Sequence, residues 1–259
     1  MRNVNWLYLR PQYLQQMPKK WFQNWFNSPY YHILYQQRDH AEAEFFIDNL
    51  CAYLKPPPDA RLLDIACGRG RHSVYFNKKG FAVTGIDLSI ASIQYAKAFE
   101  NHNLHFYVHD MRSLFYTNYF DIALNLFTSF GYFETDQEHI KALKNFNKAL
   151  KPGGLLVLDF FNSAKVIDTL CPEMTKNVDG ILFNIHKKIQ NCKIVKSIDF
   201  TDREKPYHYQ EEVMAYVMND FKLFFEQSGF EIVHCFGNYN LEEFDRDKSD
   251  RLIFICKKA

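Results

Sequence analysis

Leu62-Leu63-Asp64-Ile65-Ala66-Cys67-Gly68-Arg69-Gly70-Arg71-His72 decides how this chain folds. Arg61–Ile65 is a short apolar run of buried-strand length, and the segment after Gly70 predicts a helix reaching about Lys79. Between them, Gly68 and Gly70 would let backbone approach a ligand closely. Glycine is scarce, 10 in 259 residues, so two in one loop stand out. A second run, Phe81–Ile86, is closed by Asp87, 23 residues after Asp64. An acid at that place accepts hydrogen bonds from ribose hydroxyls. The unit reads as half of a nucleoside-binding strand–helix–strand fold.

The alternation continues outward. Ser89 is placed to cap a helix reaching about Glu100. Leu104–Val108 and Asp121–Phe127 are further strand candidates. Asp136 is placed to cap a helix whose face is Ile140, Leu143, Phe146 and Leu150. Lys151-Pro152-Gly153-Gly154 ends it, and Leu155–Phe160 is a fifth strand. Strands alternating with helices predict an α/β fold, a doubly wound, mostly parallel sheet.

The pattern changes after Asn162. Ile181–Ile189, Ile194–Phe200 and Glu211–Val217 have strand composition with little helix between them, which predicts a small inserted antiparallel sheet. A helix over Asn219–Ser228 and strands Glu231–Phe236 and Arg251–Cys256 return to the main sheet, making seven strands. Upstream, Trp21, Phe22, Trp25 and Phe26 share a helical face, and helical character runs from Ser28 to Leu54. Lys55-Pro56-Pro57-Pro58 stops it. Three parts are expected: an N-terminal helical lid over 1–55, a core over 56–162 plus 218–259, and an insert over 163–217.

Composition narrows the function. Lys+Arg 31 against Asp+Glu 30 leaves a net charge of +1, without the basic excess of a nucleic-acid binder. No apolar stretch approaches a membrane span, and the N-terminus lacks the apolar segment of a signal peptide. The six cysteines form no CxxC pair, so no metal site is expected, and free thiols in a reducing cytoplasm fit. The inserted sheet offers a surface for a homodimer.

Two residues bear on which nucleoside cofactor fits. A dinucleotide fingerprint asks for a third glycine where this chain has Ser73. Asp64, four residues before Gly68, would repel a pyrophosphate but suits a cationic amino-acid moiety. That combination disfavours nicotinamide cofactors and favours S-adenosyl-L-methionine.

Asp64-Ile65-Ala66-Cys67-Gly68-Arg69-Gly70 resembles motif I of the class I S-adenosylmethionine-dependent methyltransferases. Gly85-Ile86-Asp87-Leu88-Ser89, His109-Asp110-Met111, Phe120–Asn125 and Leu150-Lys151-Pro152-Gly153-Gly154 resemble the family's later signatures, in its order. Asn125–Tyr132 resembles a stretch of the amino-sugar N,N-dimethyltransferases, which also carry a helical N-terminus with a tyrosine and an inserted sheet. Tyr30, Tyr31 and Tyr35 are the tyrosine candidates. The resemblance implies a Rossmann-like fold and a small-molecule acceptor such as an amine. A macromolecular acceptor and a non-catalytic binding module are the alternatives.

The resemblance also implies roles. Ala66, Cys67, Gly68 and Gly70 would line the methionine end of the cofactor, with Asp64 on its ammonium and Tyr31 from the lid. Asp87 would take the ribose hydroxyls. Asp110 would take the adenine amine, with Leu88 and Met111 on the ring faces. Asn125 and Leu126 would touch the cofactor through backbone. Arg38 would pair with the cofactor carboxylate or lie in a surface ion pair. Tyr132 is the expected acceptor contact, and His208, beside Tyr207 and Tyr209, the expected base.

Overall fold

A computed structural model describes residues 21–36 and 40–259. Arg38 and the side chains of Trp21 and Phe22 lie outside the described residues. Three helices come first: α1 (Trp21–Phe26), α2 (Pro29–Leu34) and α3 (His40–Leu54). The helical stretch from Ser28 is thus two helices. The chain leaves α3 through Lys55, in a left-handed conformation (φ 46°), and the prolines.

Then follow β1 (Arg61–Ile65), α4 (Arg71–Lys78), β2 (Ala82–Asp87), α5 (Ile90–Ala96), β3 (Leu104–Val108), β4 (Phe120–Asn125), α6 (Asp136–Ala149) and β5 (Leu150–Phe161). Beyond β5 come α7 (Ser163–Asp168) and strands β6 (Glu173–Val178), β7 (Ile181–Gln190), β8 (Lys193–Asp202) and β9 (Lys205–Met214). Helix α8 (Met218–Ser228), β10 (Phe230–Phe236) and β11 (Arg251–Lys258) complete the chain.

The main sheet has seven strands in the order β10-β11-β5-β4-β1-β2-β3. Strands β1 to β5 run parallel, and β11 runs antiparallel to both β5 and β10. Apolar layers cover both faces. Ile140, Leu143 and Phe146 of α6 pack with Phe221 and Phe225 of α8 on one face. Phe46, Ile47 and Leu50 of α3 pack with Phe76 of α4 and Ile93 of α5 on the other. Burial on both sides is why the strands read as continuous apolar runs. The expected doubly wound, seven-stranded, mostly parallel sheet is the observed one.

Strands β6-β7-β8-β9 form a separate antiparallel sheet. Its inner face joins the first two helices: Trp25, Leu34, Phe183, Ile198 and Phe200 share one apolar cluster with Tyr207 and Tyr209. Helix α3 instead packs on the main sheet. Two elements of this region escape a reading for apolar pattern: α7 is one short turn and a half, and β6 (EMTKNV) is mostly exposed. The third strand of the insert runs from Lys205, earlier than its composition suggests, so Tyr207, His208 and Tyr209 are strand residues.

Two caps differ in outcome. Ser89 caps α5 as expected, accepting from the Ser92 amide at 3.1 Å. Helix α6 is capped by Thr135, whose hydroxyl accepts from the Glu138 amide at 3.3 Å. Asp136 is the first helical residue and accepts instead from the Tyr216 hydroxyl at 2.7 Å.

Candidate active site

Order in the sheet reverses between β1 and β4: the chain builds outward to β3, then crosses back. Ligands of open α/β sheets sit in the crevice at such a switch point, outside the carboxyl ends of the strands. A cavity of about 580 Å³ lies there, lined from the ends of β1 and β2, the loop after β4, helices α1 to α5 and β9. That volume is within the roughly 300–1,000 Å³ of small-ligand sites.

The floor is the loop after β1. Ala66 (φ 58°), Gly68 (φ 57°) and Gly70 (φ 82°) all take left-handed conformations. A Cβ built on Gly68 would point into open space, with nothing within 4 Å, so this glycine leaves the loop open to a ligand. Gly70 differs: its Cβ would meet the Phe106 ring at 2.7 Å, and it does not line the cavity. The expected cofactor contact at Gly70 has no counterpart in the cavity lining. The role of Gly70 is close packing at the head of α4.

Asp87 closes β2 with both oxygens engaged by backbone: the Gly68 amide donates to Oδ2 at 2.8 Å and the Ser89 amide to Oδ1 at 2.7 Å. A carboxylate offers about four acceptor sites, so these bonds orient it and leave capacity for ribose hydroxyls. Burial pushes its pKa up. Asp64 is 1% exposed and takes a hydrogen bond from Ser73 Oγ at 2.5 Å. Burial pushes its pKa up to about 6, with the Ser73 hydrogen bond opposing. A buried carboxylate held above its ordinary value is one that a cation would stabilise. Ser73, where a dinucleotide site has glycine, is therefore the residue that orients Asp64. Burial drives the Cys67 thiol well above its ordinary value, so it is no nucleophile.

Asp110, Leu88 and Met111 line the same cavity. Burial alone would raise the Asp110 carboxyl, but the Arg112 guanidinium outweighs it and holds the pKa below the usual value. That clamp is two-sided, with Arg112 Nη2 2.6 Å from Asp110 Oδ2 and Nη1 2.8 Å from Glu138. Leu126 lines the cavity and Asn125 does not. Asn125 is buried behind the loop, its side-chain amide donating to the Ile65 carbonyl at 3.1 Å.

The far wall is aromatic. Phe26, Tyr31, Phe127, Tyr132 and Phe133 line it, with the Phe26 ring edge-on to Tyr31 at 5.1 Å and to Tyr132 at 5.5 Å. Into this wall reaches Glu211 of β9. Its carboxylate accepts from Trp25 Nε1 at 2.6 Å and from the Tyr35 hydroxyl at 2.7 Å, with Lys196 Nζ at 3.3 Å. The strand's alternation explains it: Tyr207, Tyr209 and Glu211 turn inward, and His208 outward. His208, the expected base, is exposed, paired with Asp199 at 2.7 Å, and is not among the residues that line the cavity. Tyr35 was among the tyrosine candidates, but Glu211 and Lys196 escaped sequence reading, because strand polarity cannot be read without the strand's true start.

Five carboxylates (Glu44, Asp64, Asp87, Asp110, Glu211) face three side-chain cations (Arg69, Arg71, Lys78) around the cavity, among the described residues. Arg69 and Arg71 are committed to rings, 4.6 Å over Tyr95 and 4.5 Å over Phe127. All six cysteines are free. No group of three or more metal-ligating side chains occurs among the described residues. None of the described helices is long and apolar enough to cross a membrane.

The fold and the loop define a class I nucleoside-binding α/β enzyme of the methyl-transferring kind. The profile of the methyltransferase domain family matches residues 62–154. YqeM of Bacillus subtilis (strain 168), assigned as a methyltransferase, is 34% identical over 216 residues, covering 78% of this chain and 86% of YqeM. This chain belongs to the S-adenosylmethionine-dependent methyltransferases. A dTDP-3-amino-3,4,6-trideoxy-alpha-D-glucopyranose N,N-dimethyltransferase from Streptomyces venezuelae is 33% identical over 106 residues, 40% of this chain and 44% of that protein. Among solved structures, an S-adenosylmethionine-dependent methyltransferase from Clostridium acetobutylicum has the same fold, with a TM-score of 0.75 at 21% identity over 90% of this chain and 98% of that one.

Proposed function

We propose that this methyltransferase moves a methyl group to a small-molecule acceptor, an amine, held between the first two helices and the inserted sheet. The observation that carries this reading is the wall of aromatic rings around the Glu211 carboxylate. Ring faces and a carboxylate both attract an ammonium, the resting form of most amines; the amine releases its proton to solvent before its lone pair attacks, and the methylated product carries the charge again. The acidic balance of the cavity argues against a nucleic-acid groove. The amino-sugar dimethyltransferase among its relatives points to the same acceptor class.

When bound, S-adenosylmethionine supplies a methyl group on a cationic sulfur, already activated for transfer. In this reading, the protein's work is binding and alignment. Asp87 holds the ribose hydroxyls, Asp64 the ammonium, and Gly68 lets the methionine part lie on backbone. Leu88 and Met111 enclose the adenine, and Asp110 accepts from its amine. Phe26, Tyr31 and Tyr132 exclude water and aim the acceptor nitrogen. Alignment of this kind contributes up to roughly 7–11 kcal/mol in favourable cases. Helices α1 and α2 and the segment 163–217 act as lid and acceptor platform on the core.

Two measurements test this. Isothermal titration with S-adenosylhomocysteine should show binding that Asp87→Ala abolishes. Incubation of the enzyme with methyl-labelled S-adenosylmethionine and a cell extract should put label in an ultrafiltrate compound that chromatography separates from the donor and that is missing without enzyme. Label found only in retained protein or RNA would overturn the small-molecule reading.

A further inference from the structure

The turn leaving β4 is strained. Phe127 and Thr128 stand consecutively in the left-handed region, at φ 65° and 60°. For a bulky and a β-branched side chain this is a costly conformation. Such strain persists only where the surroundings over-determine it, and it clusters at functional sites. This turn carries Phe127, Thr128, Ser129 and Tyr132 into the cavity wall.

One buried ion pair grips it. Asp159, in β5, has a fully buried side chain, and Arg251 of the neighbouring β11 lies 2.7 Å from its Oδ1. Asp159 Oδ2 accepts from the Phe127 amide at 2.8 Å. The Asp159 carbonyl accepts from the Thr128 amide at 3.1 Å. Arg251 Nη2 donates to Thr128 Oγ1 at 3.1 Å, and the Tyr239 hydroxyl donates to Asp159 Oδ2 at 3.2 Å. Both amides and the hydroxyl of the strained pair are thereby held. The grip passes on: the Tyr132 hydroxyl donates to the Thr128 carbonyl at 3.0 Å. Neither Asp159 nor Arg251 lines the cavity.

We infer that Asp159 and Arg251 are positioning residues, which hold Phe127 and Thr128 in their left-handed conformation and through Thr128 set Tyr132 against the acceptor. A buried ion pair is a poor source of net stability compared with apolar packing, so its use here points to geometry. Its relevance to turnover rests on Tyr132 facing the acceptor, as proposed above. The structural part of the inference does not.

The test uses the full chain with ¹³C-labelled tyrosine rings, the Tyr132 resonance being assigned by Tyr132→Phe. In Asp159→Asn the Tyr132 resonance should move or broaden, while those of exposed Tyr53 and Tyr95 stay in place. Amide exchange at Phe127 and Thr128 should quicken about tenfold or more, as loss of a charged hydrogen bond implies. Arg251→Lys, which keeps the charge but loses the fork, should do the same. It serves for the comparison if Asp159→Asn does not fold. Thr128→Gly relieves the left-handed strain, so the loss of Tm from Asp159→Asn should be smaller in that background. An unmoved Tyr132 resonance and unchanged amide protection, with Tm lowered, would overturn the inference and make the pair a plain tie between β5 and β11. These readouts need no ligand. Failure of the wild type to methylate small molecules would sink the proposed function and leave the positioning role standing.

Discussion

Asp64 links cofactor binding to pH. Its carboxyl is 1% exposed, and burial raises its pKa to about 6. On the reading that it faces the cofactor ammonium, proton and ligand compete for it. An α-amino group with a pKa near 8 or above stays charged between pH 5 and 7, so the change in that window belongs to the protein. About nine-tenths of Asp64 is ionised at pH 7 and about one-eleventh at pH 5, so affinity should fall about tenfold, or ~1.4 kcal/mol. Isothermal titration with S-adenosylhomocysteine at the two pH values measures this, with Asp64→Asn as control. Asp64→Asn should bind weakly at both and lose most of the slope. Stability without ligand moves the other way. A carboxyl whose folded pKa is raised loses its contribution as pH rises through about 6. The wild type should therefore lose Tm relative to Asp64→Asn between pH 5 and 7. Equal affinity at both pH values, or an equal fall in Asp64→Asn, would refute the reasoning.

Other expectations follow from single contacts. Gly85→Ala would drive a Cβ to 2.6 Å from the buried Phe106 ring and 2.9 Å from Cys67 Sγ. Overpacking of that kind costs about 1–3 kcal/mol, visible as a lowered Tm. Thr135→Ala removes the α6 cap and should cost about 1 kcal/mol in urea unfolding. Glu211→Ala should raise KM for the acceptor about 10- to 100-fold, from the ~1.5–3 kcal/mol of a charged hydrogen bond, with S-adenosylhomocysteine affinity nearly unchanged. His208→Ala should leave methyl transfer at the wild-type rate. A large fall there would restore it as a base.

The core was legible because its signals are local. Burial on both faces makes a parallel strand a continuous apolar run, and Gly68 and Asp87 mark strand ends, whereas Lys151–Gly154, expected as a turn, is the first part of β5, which starts at Leu150. The candidate site divides along the same line. Asp64, Gly68, Asp87, Leu88 and Met111 line the cavity as expected, since each sits at a fixed offset from a strand end. Glu211 and Lys196 were not legible, nor was the partner of Tyr35. The meeting depends on which face of β9 turns inward and on the Tyr35–Glu211 contact, which spans 176 residues. His208 lies one place out of phase on the same alternating strand and does not line the cavity. Gly70 and Asn125 sit at the loop without lining the cavity, a difference between a loop's two sides that one dimension does not carry.

The first two helices share their apolar cluster with the inserted sheet, and Trp25 and Tyr35 are hydrogen-bonded to its Glu211. These segments lie far apart along the chain but form one side of the pocket. On the proposed reading, acceptor preference therefore rests on two distant segments that must be exchanged together. A chimera that borrows only the insert from a relative would leave Trp25 and Tyr35 facing a foreign strand. One that borrows both would keep the Glu211 contacts matched, against a wall of Phe127, Tyr132 and Phe133 that the core still supplies.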